Sequence, residues 1–351
     1  MKALRWHARH DLRIDDVDSR APAAGEVRLK VAWCGICGTD LHEFNAGPVI
    51  IPTEAPHPLT GEKAPVTLGH EFSGVITDVG EGVTEWKAGD RVVVEPLLFN
   101  PDSPASRQGN YHLCEQGGLI GISGFGGGFA EDVTVPANMV FRLPDNVSME
   151  QGALVEPAAV AVHAVRSSAF KPGDRVAIFG AGAIGLMLVE TLKAAGAKDI
   201  YVVQRSEVRR HKAEQMGAIT IDPSAVDAVE KLIELTDGGV DVAFEVTGAT
   251  RMLEASLACT RIHGQTVIVS VWEEPATIQP NVLLLKERNV LGVFAYRSVF
   301  PMVLSLMERG FFKAEDFVTA KIPLSEAIEG GFERLNTDKT QVKILVSPAN
   351  A

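Results

Sequence analysis

Apolar residues change their spacing near residue 150. Before that point they fall in short runs, 27–32, 72–79, 91–94 and 130–135, each bounded by Gly or Pro. Short apolar runs between such turns predict β-structure. Lys87-Ala88-Gly89-Asp90-Arg91-Val92 recurs nearly as Lys171-Pro172-Gly173-Asp174-Arg175-Val176. The flanks do not match, so this is one turn solution used twice, not a repeat.

After residue 150, apolar strands alternate with helical patterns. Strands are expected at 175–179, 200–203, 240–246 and 266–269, and helices at 183–195 and 207–216. Strands apolar at every position are buried on both faces, as in a parallel sheet covered by helices. The alternation predicts a doubly wound α/β domain. The tail from 295 has helical patterns at 302–308 and 324–335 and a last strand at 342–346. It lies beyond the last sheet strand and is free to return to the first domain.

Composition narrows the class of protein. The 351 residues suggest two domains, and 46% hydrophobic with 22% charged residues excludes a mainly disordered chain. A net charge of −12 repels phosphate backbones and argues against nucleic-acid or anionic-membrane partners. The longest uncharged apolar stretch, 176–189, is interrupted by glycines and is shorter than the roughly 18–20 residues of a spanning helix. The N-terminus carries Lys2, Arg5 and Arg9 and has no apolar core of a secretion signal, so a cytoplasmic location is expected. Four cysteines, at 34, 37, 114 and 259, are too few for a disulfide scaffold.

Gly180-Ala181-Gly182-Ala183-Ile184-Gly185 fits G-x-G-x-x-G. It follows a buried strand and opens a helix, the context the motif requires. The first glycine allows the tight turn, the second admits a pyrophosphate, and the third lets helix and strand pack closely. The helix N-terminus then offers N–H groups and a positive dipole end to phosphate. About 20 residues on, an acidic residue ordinarily holds the ribose 2′-hydroxyl of NAD. Here stand Gln204 and Arg205, with Arg209 and Arg210 one turn further. Gln204 does not repel a 2′-phosphate and Arg205 can pair with one, so NADP(H) is expected to be accepted beside NAD(H) and even preferred. The bland reading of these arginines is a solvated helix face.

Cys34 and Cys37 form C-x-x-C, and no second such pair exists, which excludes a four-cysteine knuckle. Its β-rich surroundings do not suit a thioredoxin-like redox pair. His70-Glu71 is not H-E-x-x-H, because position 74 is Gly. A catalytic zinc with scattered ligands fits better. Cys37, His70 and Glu156 would neutralise Zn²⁺ and leave an open fourth position, with Glu71 as an exchanging ligand or supporting group. Singly, a Cys is usually a small hydrophobe and a Glu usually a surface residue.

The combination resembles a zinc-dependent medium-chain alcohol dehydrogenase over essentially the whole chain. The motifs are Cys37-Gly-Thr39-Asp-Leu-His42, Gly69-His70-Glu71-Phe72-Ser73-Gly74, Glu156-Pro157 and 180–185. The string from Gly47-Pro-Val-Ile-Ile-Pro52 through His57-Pro-Leu-Thr-Gly61 to His70 is similar to the subgroup acting on (R,R)-2,3-butanediol and on acetoin or diacetyl. Sorbitol and threonine dehydrogenases look less similar there. The resemblance implies a GroES-like catalytic domain at 1–153 and 295–351, a Rossmann domain at 154–294, and a cleft at their junction. It implies that zinc polarises the oxygen of a small alcohol or ketone substrate. Thr39 would hydrogen-bond that oxygen and pass its proton on, and His42 would relay it to solvent. By themselves Thr39 reads as a turn residue and His42 as a surface histidine.

One departure concerns a second, structural zinc that many relatives carry. Asn100, Ser103 and Ser106 stand where its cysteines would be, and only Cys114 remains. Neutral Asn and Ser oxygens bind zinc poorly, so one catalytic zinc per chain is expected and no structural one. A homodimer or homotetramer is expected from the resemblance alone. Competing functions are a polyol or threonine-type dehydrogenase, a redox C-x-x-C protein, and a zinc-free cofactor-binding protein of the quinone-reductase or crystallin type.

Overall fold

The computed structural model describes residues 1–348, so the last three residues of the expected tail segment lie outside it. The described chain forms two compact units. One comprises Met1–Glu156 and the chain from Phe300 onward; the other is Pro157–Val299. No helix among the described residues is long and apolar enough to cross a membrane.

The first unit is built on strands β1 (Glu26–Gly35), β2 (Glu71–Val79), β3 (Arg91–Val94), β4 (Asp132–Pro136) and β5 (Val140–Arg142). Between β1 and β2 lies helix α1 (Gly38–Ala46). The apolar runs expected as strands thus form strands, and alternate residues of β1 point into the core. That core holds Leu4, Trp6, Leu29, Phe72, Phe129 and Phe332, with the Phe129 and Phe332 rings edge-to-face at 6.1 Å. A smaller three-stranded sheet, Lys2–Ala8 with Asp11–Asp16 and Val66–Thr67, lies beside it in sequence.

Helix α2 (Val155–Ser167) carries the chain across the unit boundary, which falls in its first turn. The second unit is then a six-stranded parallel sheet. Its strands are β6 (Arg175–Phe179), β7 (Asp199–Val203), β8 (Ile219–Ile221), β9 (Val240–Glu245), β10 (Thr260–Ile268) and β11 (Asn289–Gly292). Helices α3 (Ala183–Ala194), α4 (Glu207–Gln215), α5 (Ala228–Thr236) and α6 (Thr250–Ala258) connect them. The spatial order is β8-β7-β6-β9-β10-β11, the doubly wound dinucleotide-binding order. β6 and β7 are buried from their second residue onward, which is why they read as continuous apolar runs. The two edge strands did not stand out in the sequence. β11 is almost wholly exposed and β8 has one buried residue, so neither carries the apolar signal. β10 begins six residues before the expected strand, with a register irregularity against β9 between Val240 and Val242.

The tail returns to the first unit through helix α7 (Phe300–Glu308) and strands β12 (Val318–Pro323) and β13 (Lys343–Ser347). β13 pairs antiparallel with β1, Val346 opposite Cys34 and Leu345 opposite Gly35. The sheet order is β5-β3-β2-β1-β13-β12, with β4 also pairing β1. The expected helix at 324–335 is a 3₁₀ turn, a π-helix at Ala327–Glu333 and a short α-helix at Arg334–Thr337. Gly330-Gly331 lies inside it, and glycine weakens an α-helix interior.

Candidate metal centre and dinucleotide loop

Cys37, His70 and Glu71 come together. One ligand atom from each lies within 4.8 Å of the others, the one such group among the described residues. Their elements explain the meeting. Cys37 is the N-cap of α1, directly after β1. His70 and Glu71 enter β2, which pairs with β1 so that Gly35 faces Glu71. A Cβ on Gly35 would lie 2.2 Å from Glu71 Oε2, so glycine is the residue that admits the carboxylate. Zinc takes sulfur at about 2.3 Å and nitrogen or oxygen at about 2.0–2.2 Å, so a soft thiol, an imidazole and a carboxylate this close form a suitable donor set.

Two buried partners of this group were not assigned a role from the sequence: Lys343 lies outside every motif, and Asp40 stands within the 37–42 motif. Lys343, on β13, donates from Nζ to Glu71 Oε1 at 2.8 Å, to Oε2 at 2.6 Å and to the Ile36 carbonyl at 3.1 Å. Asp40, fully buried on α1, accepts the Cys37 N–H at 2.9 Å. Its other oxygen lies 3.5 Å from His70 Nδ1, and both atoms are buried without a hydrogen-bond partner. Such orphaned atoms mark a site arranged for something besides its own side chains. Burial works against a charged His70, but Asp40 and then Cys37 outweigh it and hold its proton well above the ordinary imidazole range. Burial and the Glu71 charge raise the Cys37 thiol. Burial lowers and Glu71 more than restores the Lys343 ammonium, which ends above the usual lysine value.

The other predicted side chains sit nearby or apart as follows. Thr39 Oγ1 is 3.7 Å from Cys37 Sγ. His42 is three residues on along α1, a spacing that places both side chains on one helix face. Glu156 is buried in the first turn of α2 and lies outside the group of three, though its charge acts on Lys343.

The glycine-rich turn stands between β6 and α3. Gly182 caps α3 with no side-chain hydrogen bond, and a Cβ there would meet nothing within 4 Å. Open space over an uncapped helix N-terminus suits an anionic pyrophosphate. At Gly185 a Cβ would lie 2.1 Å from the Gly180 carbonyl, the close helix–strand approach expected of the third glycine. Ile184 lies in the first turn of α3. Gln204 follows β7, its Oε1 accepting the Ser206 N–H at 3.0 Å. Arg205 is exposed and Arg209 half-buried on α4, with desolvation lowering the Arg209 guanidinium.

The four remaining positions of interest lie in one lobe. Cys114 Sγ accepts the Asn100 N–H at 3.3 Å. Ser103 Oγ lies 3.0 Å from Ser106 Oγ and accepts the Ser106 N–H at 3.2 Å, capping the short helix Pro104–Arg107. Burial raises the Cys114 thiol, but hydrogen bonds led by Ser103 outweigh it and bring it below the ordinary value. Cys34 and Cys259 are buried free thiols, the latter pushed up to about 12 by desolvation.

Comparison with known proteins assigns the family. Residues 23–145 match the alcohol dehydrogenase GroES-like domain, and residues 183–309 match the zinc-binding dehydrogenase domain. The chain is 55% identical over 349 residues to (R,R)-butanediol dehydrogenase of Bacillus subtilis, covering 99% of this chain and 100% of that one. It is 43% identical to (R,R)-butanediol dehydrogenase of Neisseria gonorrhoeae, covering 99% of each. The crystal structure of the Bacillus subtilis enzyme superposes with a TM-score of 0.95 over 99% of both chains. A zinc-binding dehydrogenase from Sinorhizobium meliloti, bound to NADP, is 33% identical and superposes with a TM-score of 0.90 over 99% of both. The first unit is a GroES-like domain and the second a Rossmann domain, and the chain is an oxidoreductase of the zinc and nicotinamide class. This chain therefore belongs to the zinc-dependent medium-chain alcohol dehydrogenase family.

Proposed function

We propose that this chain interconverts 2,3-butanediol and acetoin, using one zinc per subunit and a nicotinamide dinucleotide. The observation that carries the chemistry is the convergence of Cys37, His70 and Glu71 within 4.8 Å. The substrate follows the full-length relatives at 55% and 43% identity, which bear the butanediol dehydrogenase name.

Cys37, His70 and Glu156 are assigned as the protein ligands of the zinc. Glu71 takes the exchanging role, because both its oxygens are held by Lys343. Asp40 orients the His70 ring, as a carboxylate behind a ligating imidazole commonly does. When bound, zinc supplies a Lewis acid for the substrate oxygen. Thr39 accepts the hydrogen bond of the hydroxyl at that oxygen and passes its own proton on as it takes the substrate's, and His42, on the same face of α1, relays that proton toward solvent. The N–H groups at the start of α3 hold the cofactor pyrophosphate beside Gly182. The lobe of Asn100, Ser103, Ser106 and Cys114 holds itself by hydrogen bonds and takes no second zinc. The subunit works as a homodimer or homotetramer in the cytoplasm.

A panel of butane-2,3-diol stereoisomers, acetoin, diacetyl, sorbitol and threonine, run with both cofactors, tests the substrate. The highest kcat/KM is expected for the (R,R)-diol and acetoin. Sorbitol or threonine leading the panel moves the chain to the polyol or threonine reading. Chelation should abolish activity and added zinc restore it; chelator-resistant activity supports the zinc-free reading. Cys37→Ser should be inactive and Cys34→Ser nearly normal, and the reverse pattern supports a redox pair. Metal analysis should return one zinc per chain.

A further inference from the structure

The sequence offers no carboxylate at the end of β7, where the adenosine ribose of a dinucleotide lies in this fold. The neighbouring strand provides one. β7 and β8 run parallel with Val203 opposite Ile221. The Gln204 N–H donates to the Ile221 carbonyl at 3.0 Å, and the next residue is Asp222. Adjacent strands lie about 4.8 Å apart, so Asp222 is the lateral neighbour of Gln204.

Asp222 is firmly held. Its Oδ1 accepts the Ser224 N–H at 2.9 Å, and its Oδ2 lies 3.0 Å from Arg210 Nη1. The Ser224 N–H, with Arg210 helping, keeps its carboxyl below the usual carboxylate range. The same Arg210 nitrogen donates to the Gln204 carbonyl at 3.0 Å and to the Arg205 carbonyl at 2.5 Å. Arg210 is thus a brace. It ties the 204–205 turn to the end of β8 and spends its charge on Asp222. Arg210 is occupied by a carboxylate, while Arg205, the arginine expected to pair with a 2′-phosphate, remains exposed.

We propose that Asp222, held by Arg210, is the carboxylate with which this chain discriminates against a 2′-phosphate on its cofactor, making NAD(H) the preferred form. This rests on the reading that loop 180–185 binds a dinucleotide. It replaces the expectation of an NADP preference, which assumed that no carboxylate stood near Gln204. A unit charge within about 10 Å of a phosphate, at an effective dielectric near 20, changes affinity by at least roughly tenfold, and Arg210 offsets part of the Asp222 charge.

The test is calorimetric titration of the full-length protein with ADP-ribose and with 2′-phospho-ADP-ribose, neither of which can turn over. Wild type should bind ADP-ribose more tightly. Asp222→Asn should shift the affinity ratio toward the phosphorylated probe by roughly tenfold. Arg210→Gln leaves the Asp222 charge uncompensated and should shift the ratio the opposite way. Arg205→Ala should weaken only the phosphorylated probe. If Asp222→Asn fails to fold, Asp222→Ser and the Arg210→Gln arm carry the same test. A wild type favouring the phosphorylated probe overturns the proposal. So does an Asp222 variant within twofold of wild type, or Asp222 and Arg210 variants that shift the ratio in one direction. A wild type that binds neither probe overturns the dinucleotide reading as well. Binding of both with an unmoved ratio overturns this proposal alone.

Discussion

Lys343 decides the charge balance around Glu71, and nothing local announces it. Lys343 is 3% exposed and Glu71 is fully buried, so each is the other's means of remaining charged. Removing one partner of a buried pair leaves an uncompensated charge, which costs about 3–5 kcal/mol. Lys343→Met should therefore lose stability on that scale in chemical denaturation. The double variant Lys343→Met/Glu71→Gln should recover much of it, and a loss unrelieved by the second change would assign the effect to packing. Cys37, His70 and Glu71 were readable as residues because chemistry restricts which side chains hold zinc. Lys343 was not, because it is 272 positions from Glu71 and a lone lysine in a strand is an ordinary surface residue.

Helix α1 does several tasks at once. Its N-cap is Cys37, its first turn carries Thr39 and Asp40, and its second carries His42 and Glu43. The buried Glu43 carboxylate accepts three successive N–H groups, from Val49 at 2.9 Å, Ile50 at 2.5 Å and Ile51 at 3.1 Å. Glu43 is six residues from Cys37, about 9 Å along the axis, so the 48–52 loop hangs from the same helix that carries the metal-ligand candidate. Glu43→Ala should cost at least about 2 kcal/mol and open this loop to limited proteolysis. Cleavage confined to other loops would contradict the assignment. A second element-scale device delivers β13. Asp338 accepts from Thr340 N at 3.0 Å, Thr340 Oγ1 at 2.5 Å and Gln341 Nε2 at 2.7 Å, and its carboxyl is held at about 2 by these bonds. A depressed carboxylate stabilises the fold above its unfolded value, near 3.9, and loses that contribution as pH falls through about 2. Asp338→Asn should flatten the acid limb of the stability profile between those values. An unchanged limb would show that the turn is held otherwise.

At the scale of the whole molecule, the second unit ends, among the described residues, in an open edge. β11 pairs on one side with β10, and Leu284 and Leu285 nearby are 71% and 78% exposed. An open edge with exposed apolar side chains beside it favours association unless charge or cover blunts it, even where the edge strand has only four residues. Val290→Lys on β11 should lower the sedimentation mass if this edge supports the proposed oligomer, and an unchanged mass would place the interface elsewhere. Chelation should lower the melting temperature as well as the activity, since a ligand that binds only the folded state stabilises it. Legibility followed burial at this scale. The central strands β6, β7 and β9 were read from their apolar runs, whereas the edges β8 and β11 were not, because β8 buries one residue and β11 none.

Local chemistry in the chain was enough to establish several things without any fold. Thiol, imidazole and carboxylate types with their motif spacing indicated zinc, the glycine spacing indicated a dinucleotide, and the apolar periods indicated a β-rich unit followed by a doubly wound one. The tertiary structure decided which of those groups meet and what they meet. Strand pairing brought Lys343 onto Glu71 and Asp222 beside Gln204. Sequence carries side-chain chemistry and short-range period, but charge pairing depends on distances that only the sheet registers set.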